Sequence, residues 1–265
     1  MPFTFSHAAA VWPLQRTRLV LSALIVGSFA PDFAYFFFLS PSGLGAHSLH
    51  GMFLCDLPLS LVALWLFHTF VKQPATILLP KGFRARLKPE ENRFTFWPPA
   101  RLAWIVFSIL VGIATHLLWD SFTHVFYWPY RHWSFLRQPI SLPIEGNVQM
   151  YRVLQDGSSL FGLVVVAIWI WVWYRATEPH ELPATKPYTQ TQIRVITVIV
   201  PALALAVGLL KAYVHMGVPS IEFRPILHFS LNAGITATTF LGIGLLICGV
   251  IFRRQVAVAE PLKAE

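Results

Sequence analysis

An all-α fold, an integral membrane helical bundle with a short N-terminal helical hairpin and about five full transmembrane helices, is what this sequence predicts, and three observations predict it. Of 265 residues, 55% are hydrophobic and 12% charged, where an ordinary soluble domain carries about 25% charged residues. Apolar runs of helix-spanning length recur along the chain, and mean hydropathy is +0.59. The basic residues gather between those runs, at alternate ends, as the positive-inside bias requires. Twenty Lys and Arg against twelve Asp and Glu give a net charge of +8. Anionic headgroups and topology account for that charge, so membrane lipids are expected partners and nucleic acid is not. The two cysteines, Cys55 and Cys248, both lie in apolar runs, which excludes a disulfide framework and zinc-finger spacing. No secretory leader pattern opens the chain, so His7 is expected to stay in the mature protein.

Ser6 is placed to N-cap a short apolar helix from His7 to about Gln15, which Pro13 and Gln15-Arg16-Thr17-Arg18 break. Leu19 to Ala30 is apolar and stops at Pro31-Asp32. The two pieces read as a helical hairpin: about 14 Å from His7 to Arg16 and about 21 Å back from Arg18 to Asp32, at 1.5 Å per residue, returns Asp32 to the level of His7. The competing reading is one span from Leu19 to Leu39, which leaves His7 and Asp32 on opposite faces. A Pro, Ser and Gly loop follows from Ser40 to Gly51, carrying His47 and His50.

Met52 to Val71 is the next span and contains Asp56, Pro58 and His68, the last read as structural. The 72–101 loop is the most basic, with seven Lys and Arg, and is assigned to the cytoplasm. Leu102 to Trp119 spans outward. Asp120 to Gly157 is external and aromatic-rich, which suits the interface. Ser158 to Tyr174 returns inward, with Gly157-Ser158-Ser159 read as its N-cap. A polar linker, 176–192, separates a first module (1–175) from a C-terminal helical pair, Ile193–Val214 and Phe229–Phe252, with a short tail to 265. His132, His180, His215 and His228 are read as interfacial. Arg16, Arg18, the 72–101 loop, Arg175 and Arg253-Arg254 then share the cytoplasmic side. Asp32, His47, His50, His116, Asp120 and His124 share the other side.

The chemistry-bearing stretch is Thr115-His116-Leu117-Leu118-Trp119-Asp120-Ser121-Phe122-Thr123-His124. His116, Asp120 and His124 stand at i, i+4 and i+8, which keeps them within roughly 80° of one helix face. Imidazoles and carboxylates on one stripe form half a metal site, and ionisable residues in spans default to functional hypotheses. His7, Asp32, His47 and His50 are the further candidate ligands at that level, with Asp56 a possible addition. A His and carboxylate set favours zinc, with manganese or iron as alternatives, over calcium or magnesium. His124 can serve as a ligand or as general acid/base. No Walker loop, Rossmann glycine pattern or nucleophile elbow is present.

Four motifs in order, Met1-Pro2-Phe3-Thr4-Phe5-Ser6-His7-Ala8-Ala9, Gly27-Ser28-Phe29-Ala30-Pro31-Asp32-Phe33, His47-Ser48-Leu49 and Thr115 to His124, resemble an uncharacterised bacterial multi-pass membrane family, domain of unknown function 4184. The likeness covers roughly residues 1–175. More distantly, the motif order is similar to the LexA-regulated inner-membrane metal-dependent hydrolases, held akin to zinc-dependent phospholipase C and P1 nuclease. That resemblance implies metal ligands at His7, Asp32, His47, His116 and Asp120, and groups His7 with Asp32 as the hairpin does. Ser6 stands where those hydrolases have glycine, Ala46 where threonine is usual, and their upstream His-Arg is absent. The implied function is a metal-dependent hydrolase of a phosphoester or lipid, in the cytoplasmic membrane with its site on the extracytoplasmic side. Two alternatives remain open: a non-enzymatic metal- or lipid-binding scaffold, and a small transporter.

Overall fold

The computed structural model describes residues 3–39, 48–87, 94–125, 127–143, 146–181 and 188–259. Six helices among them are long and apolar enough to cross a membrane: α1 (Leu21–Phe38), α2 (Met52–Ile77), α3 (Pro99–Ser121), α4 (Met150–Ala176), α5 (Gln190–Met216) and α6 (Arg224–Phe252). The protein is an all-α, multi-pass integral membrane protein.

Prolines shape these helices without ending them. Ala30–Asp32 tightens into a 3-10 turn around Pro31, and α1 then continues through Phe33–Phe38. The expected stop at Pro31-Asp32 is therefore corrected: losing one donor narrows the ladder locally, while the Phe-rich run sustains the helix. Both readings of the N-terminus hold in part, since α1 has spanning length and a returning arm precedes it (Thr4–His7, Ala8–Val11, Trp12–Arg16). Wide i→i+5 turns occur at Met52–Asp56, Phe67–Val71 and Val195–Ile199. Each ends two or three residues before a proline, at Pro58, Pro74 and Pro201. A proline ring clashes with the carbonyl four residues back, and widening the preceding turn relieves that clash.

Two capping expectations are also corrected. α4 begins at Met150, so Ser158 and Ser159 lie inside it, and both hydroxyls donate back to the Gln155 carbonyl (3.1 and 2.9 Å). Ser6 caps nothing: it is fully buried, and Gly162 of α4 packs on it so closely that a Cβ there would lie 2.6 Å from Ser6 Cβ. The segment between α3 and α4 holds a short helix (Trp128–His132) and an antiparallel hairpin of β1 (Pro139–Leu142) and β2 (Gly146–Gln149), in register Ile140 opposite Val148.

The chain divides into two compact units, one of Met1–Ala34, Gly43–Leu64 and Thr95–Arg175, the other of Tyr35–Ser42, Trp65–Phe94 and Ala176–Glu265. In the first, α1 and α3 run parallel, pinned by two hydrogen bonds that each join residues 88 apart. Val20 N–H donates to Ser108 Oγ (2.9 Å), and His116 Nδ1 lies 2.7 Å from the Ser28 carbonyl, each pair 88 apart. Between these pins Gly27 meets the Ile109 carbonyl and Gly112 the Leu24 carbonyl, with no room for a Cβ at either. Small residues let membrane helices approach to backbone contact, where dispersion rather than hydrophobicity holds them. In the second unit, α5 and α6 pack through Gly208 against the Ala233 carbonyl and Gly244 against Val200. Tyr188, Ile196, Leu245 and Cys248 form a small buried cluster there.

Candidate metal centre

Three chain segments deliver the site. The buried face of α3 is Ile105, Ser108, Ile109, Gly112, Ile113, His116 and Asp120. Spacings of three and four residues place them on one stripe, so the last turns of that stripe present an imidazole and a carboxylate in line. The parallel register brings Asp32 of α1 alongside. The N-terminal arm, packed on α1 and α3, brings His7 to the same point.

His7 Nε2 lies 3.6 Å from Asp120 Oδ1. His116 Nε2 lies 3.3 Å from Asp120 Oδ2 and 3.7 Å from Asp32 Oδ1. The two imidazoles stack, with centroids 3.8 Å apart and planes at 19°. One donor atom from each of His7, His116 and Asp120 falls within 4.8 Å of the others. His7, Asp32, His116 and Asp120 are each at most 1% exposed.

The protonation pattern suits a cation. A carbonyl can only accept, so His116 Nδ1 carries its proton toward Ser28 O and leaves the Nε2 lone pair facing the carboxylates. Thr4 Oγ1 donates to Asp32 Oδ2 (2.6 Å), which leaves Asp32 Oδ1 on the side of His116. Burial, followed by the neighbouring His116, pushes His7 down to about 4, against the pull of Asp120 and Asp32, so it is neutral at pH 7. Neither His7 ring nitrogen makes a hydrogen bond, although the residue is 0% exposed. A buried polar group left in that state costs about 1–3 kcal/mol, a cost that a bound metal ion would remove. Three of the donor separations, 3.3–3.7 Å, are close to the roughly 3.4 Å edge of a tetrahedral zinc site with bonds near 2.1 Å. The residues fit the group.

The remaining candidates fall in different places. His124 follows α3, and its Nδ1 donates to the Asp120 carbonyl (3.1 Å) and lies 3.7 Å from Asp120 Oδ2; at 16% exposure its side chain is the open edge of the group. His50 is exposed on the turn Leu49–Gly51, which Ser48 caps. Asp56 is 1% exposed, on a turn of α2 that packs against Ala30–Asp32. His47 lies outside the described residues. Sequence reasoning missed Thr4, Ser28 and Tyr127. Thr4 acts on Asp32, 28 residues away, and the Ser28 carbonyl on His116, 88 residues away, so no local spacing signals either. Burial, reinforced by Asp120 and Asp32, pushes the Tyr127 phenol up to about 12, which keeps it protonated beside His124.

No curated protein and no solved structure gives a significant match to this chain. A family match, in contrast, extends beyond the motif-bearing first 175 residues and takes in the helical pair α5 and α6. Covering residues 1–252, it shows that the chain belongs to the family described as Domain of unknown function (DUF4184).

Proposed function

We propose that this protein is a membrane-bound, metal-dependent hydrolase of a phosphoester or lipid, with a zinc-type ion held by His7, Asp32, His116 and Asp120. One observation carries the reading: donor atoms of His7, His116 and Asp120, from two segments, fall within 4.8 Å of one another, Asp32 Oδ1 of a third lies 3.7 Å from His116 Nε2, and His7 is left without a hydrogen bond. A divalent cation in such a site supplies Lewis-acid polarisation of a phosphoryl or carbonyl oxygen. The chain's own groups supply the rest. Ser28 and Thr4 fix which atoms of His116 and Asp32 face the centre. His124, with Nδ1 committed to the Asp120 carbonyl, keeps Nε2 as the base that takes a proton from the attacking water and returns it to the leaving group. The distant motif likeness to metal-dependent hydrolases points the same way.

The extracytoplasmic face of the cytoplasmic membrane is the proposed location. α1 and α3 are parallel, follow Arg18 and carry Arg101 at their starts, and bear the site toward their far ends. The positive-inside bias places those starts in the cytoplasm. Burial of all four donors to 1% or less favours a second reading, an ion that locks the helices together without turnover.

Elemental analysis of detergent-purified wild type beside His116→Ala/Asp120→Ala tests the reading. Stoichiometric zinc or manganese, lost in the double variant, is expected. His124→Gln is expected to keep the metal and lose hydrolysis of phosphoesters or phospholipids by about 10²–10⁴-fold. Metal without any turnover in wild type would establish the locking ion instead. Well-folded wild type that takes up no metal from added zinc would sink both readings.

A further inference from the structure

The second unit holds one charge that the proposed chemistry does not use. Lys211 lies within α5, partly buried, and its ammonium donates to the Leu39 carbonyl (2.6 Å) and to Asn232 Oδ1 (3.1 Å). Asn232, 9% exposed, is held in turn by its Nδ2 donating to the His228 carbonyl (3.1 Å). Both acceptors of Lys211 are neutral, and among the described residues Lys211 makes no ion pair. Two of its three N–H donors are used, and no carboxylate among the described residues pairs with its charge.

Its depth is informative. α5 has 27 residues, about 40 Å of helix at 1.5 Å per residue, against a hydrocarbon core of about 30 Å. About 5 Å of helix therefore projects at each end. Lys211, five residues before Met216, sits about 8 Å from the end, roughly 3 Å inside the core boundary. A lysine side chain reaches from there to the phosphate layer. This is the end of α5 remote from Arg194, where the positive-inside bias gives no reason for a lysine. Arg224, which opens α6, is offset in formal charge by Glu222 just before it, so the net positive charge at this end is that of Lys211. Beside Lys211, Leu210 and Val214 are exposed, an apolar stripe one helical turn apart on the outer surface of α5.

We propose that Lys211 seats the phosphate of an anionic phospholipid, whose acyl chains lie along Leu210 and Val214. Charge complementarity selects the headgroup, and the apolar stripe selects a lipid over free phosphate. Phosphatidylglycerol is the probe. Full-length protein is placed in nanodiscs of phosphatidylcholine with or without phosphatidylglycerol, and its thermal midpoint and retained lipid are read, the latter by native mass spectrometry. Wild type is expected to gain midpoint with phosphatidylglycerol and to retain it over phosphatidylcholine. Lys211→Met is expected to lose that gain and about tenfold in retention, the loss of one charge-assisted hydrogen bond, while Lys211→Arg keeps both. A Lys211→Met protein that is less stable yet gains as much from phosphatidylglycerol would show that Lys211 only clamps the Leu39 carbonyl, and would overturn the proposal. Equal retention of the two lipids by wild type overturns it even if Lys211→Met fails to fold. An equal midpoint gain from inorganic phosphate in detergent overturns the lipid assignment.

Discussion

Two helix pairs in this protein use the same device and reach different ends. α1 with α3, and α5 with α6, each close to backbone contact over glycine, at Gly27 and Gly112 in one pair and Gly208 in the other. α5 and α6 are consecutive, so a short connection brings them together, and a lysine and an asparagine bond across the pair, Lys211 to Asn232. α1 and α3 are parallel and far apart in sequence, and their register needs side-chain pins at both ends, Ser108 on Val20 and His116 on Ser28. The upper pin is itself a candidate ligand. A close crossing therefore sets distance, while the function of a crossing depends on which polar groups the register places beyond it. In the first pair, packing and chemistry share a residue; in the second they are separable.

The sharpest way to break this comparison is to add one carbon to each crossing. Gly112→Ala and Gly208→Ala each force a Cβ into a backbone carbonyl, that of Leu24 or of Ala233, and each is expected to cost about 1–3 kcal/mol or more. Both should lower the thermal midpoint. Only Gly112→Ala should also reduce metal content, because it shifts His116 against Asp32. Equal metal loss in both variants would contradict the separation.

Thr4→Val tests the site without touching a ligand. Removing the donor to Asp32 Oδ2 should weaken metal affinity about 10–100-fold, as loss of an outer partner does, with Thr4→Ser restoring it. Competition with a chelator measures this, and an unchanged affinity would make Thr4 a packing residue. Ser108→Ala is expected to cost about 1 kcal/mol, since it leaves Val20 N–H without its acceptor. Thr239→Val, which removes the bond to the Phe36 carbonyl in the second unit, should cost about as much. Chemical denaturation in mild detergent compares the two. The smallest effect is expected for Ser158→Ala, within about 0.5 kcal/mol, because Ser158 bonds back to Gln155 inside α4 and caps no helix end.

Much of the site was legible because the physics that selects it acts along the chain. His116 and Asp120 are a turn apart on one helix, and a carboxylate in an apolar run is conspicuous. Asp32 after Pro31 is conspicuous for the same reason. His7 was legible only through the hairpin arithmetic, which left two readings open. Thr4 and Ser28 were not seen as partners, since a threonine and a backbone carbonyl acquire a role only when a distant element arrives. Lys211 passed unremarked because one charge near a span end is ordinary until its neighbours are known to be neutral. The β1–β2 hairpin alternates in Pro139-Ile140-Ser141-Leu142, but over only four residues, too short a run to read as a strand, and local pairing decided it.

The sequence by itself determined the apolar spans, the basic loops between them and the candidate His and Asp donors, because hydropathy, charge placement and helical spacing are local quantities. Only the tertiary structure decided that α1 and α3 are parallel and pinned between residues 88 apart, that the N-terminal arm returns His7 to Asp120, and that prolines widen or tighten helices without ending them. Those outcomes depend on whether two backbones can touch, and a glycine in one helix says nothing until the carbonyl that meets it is in place.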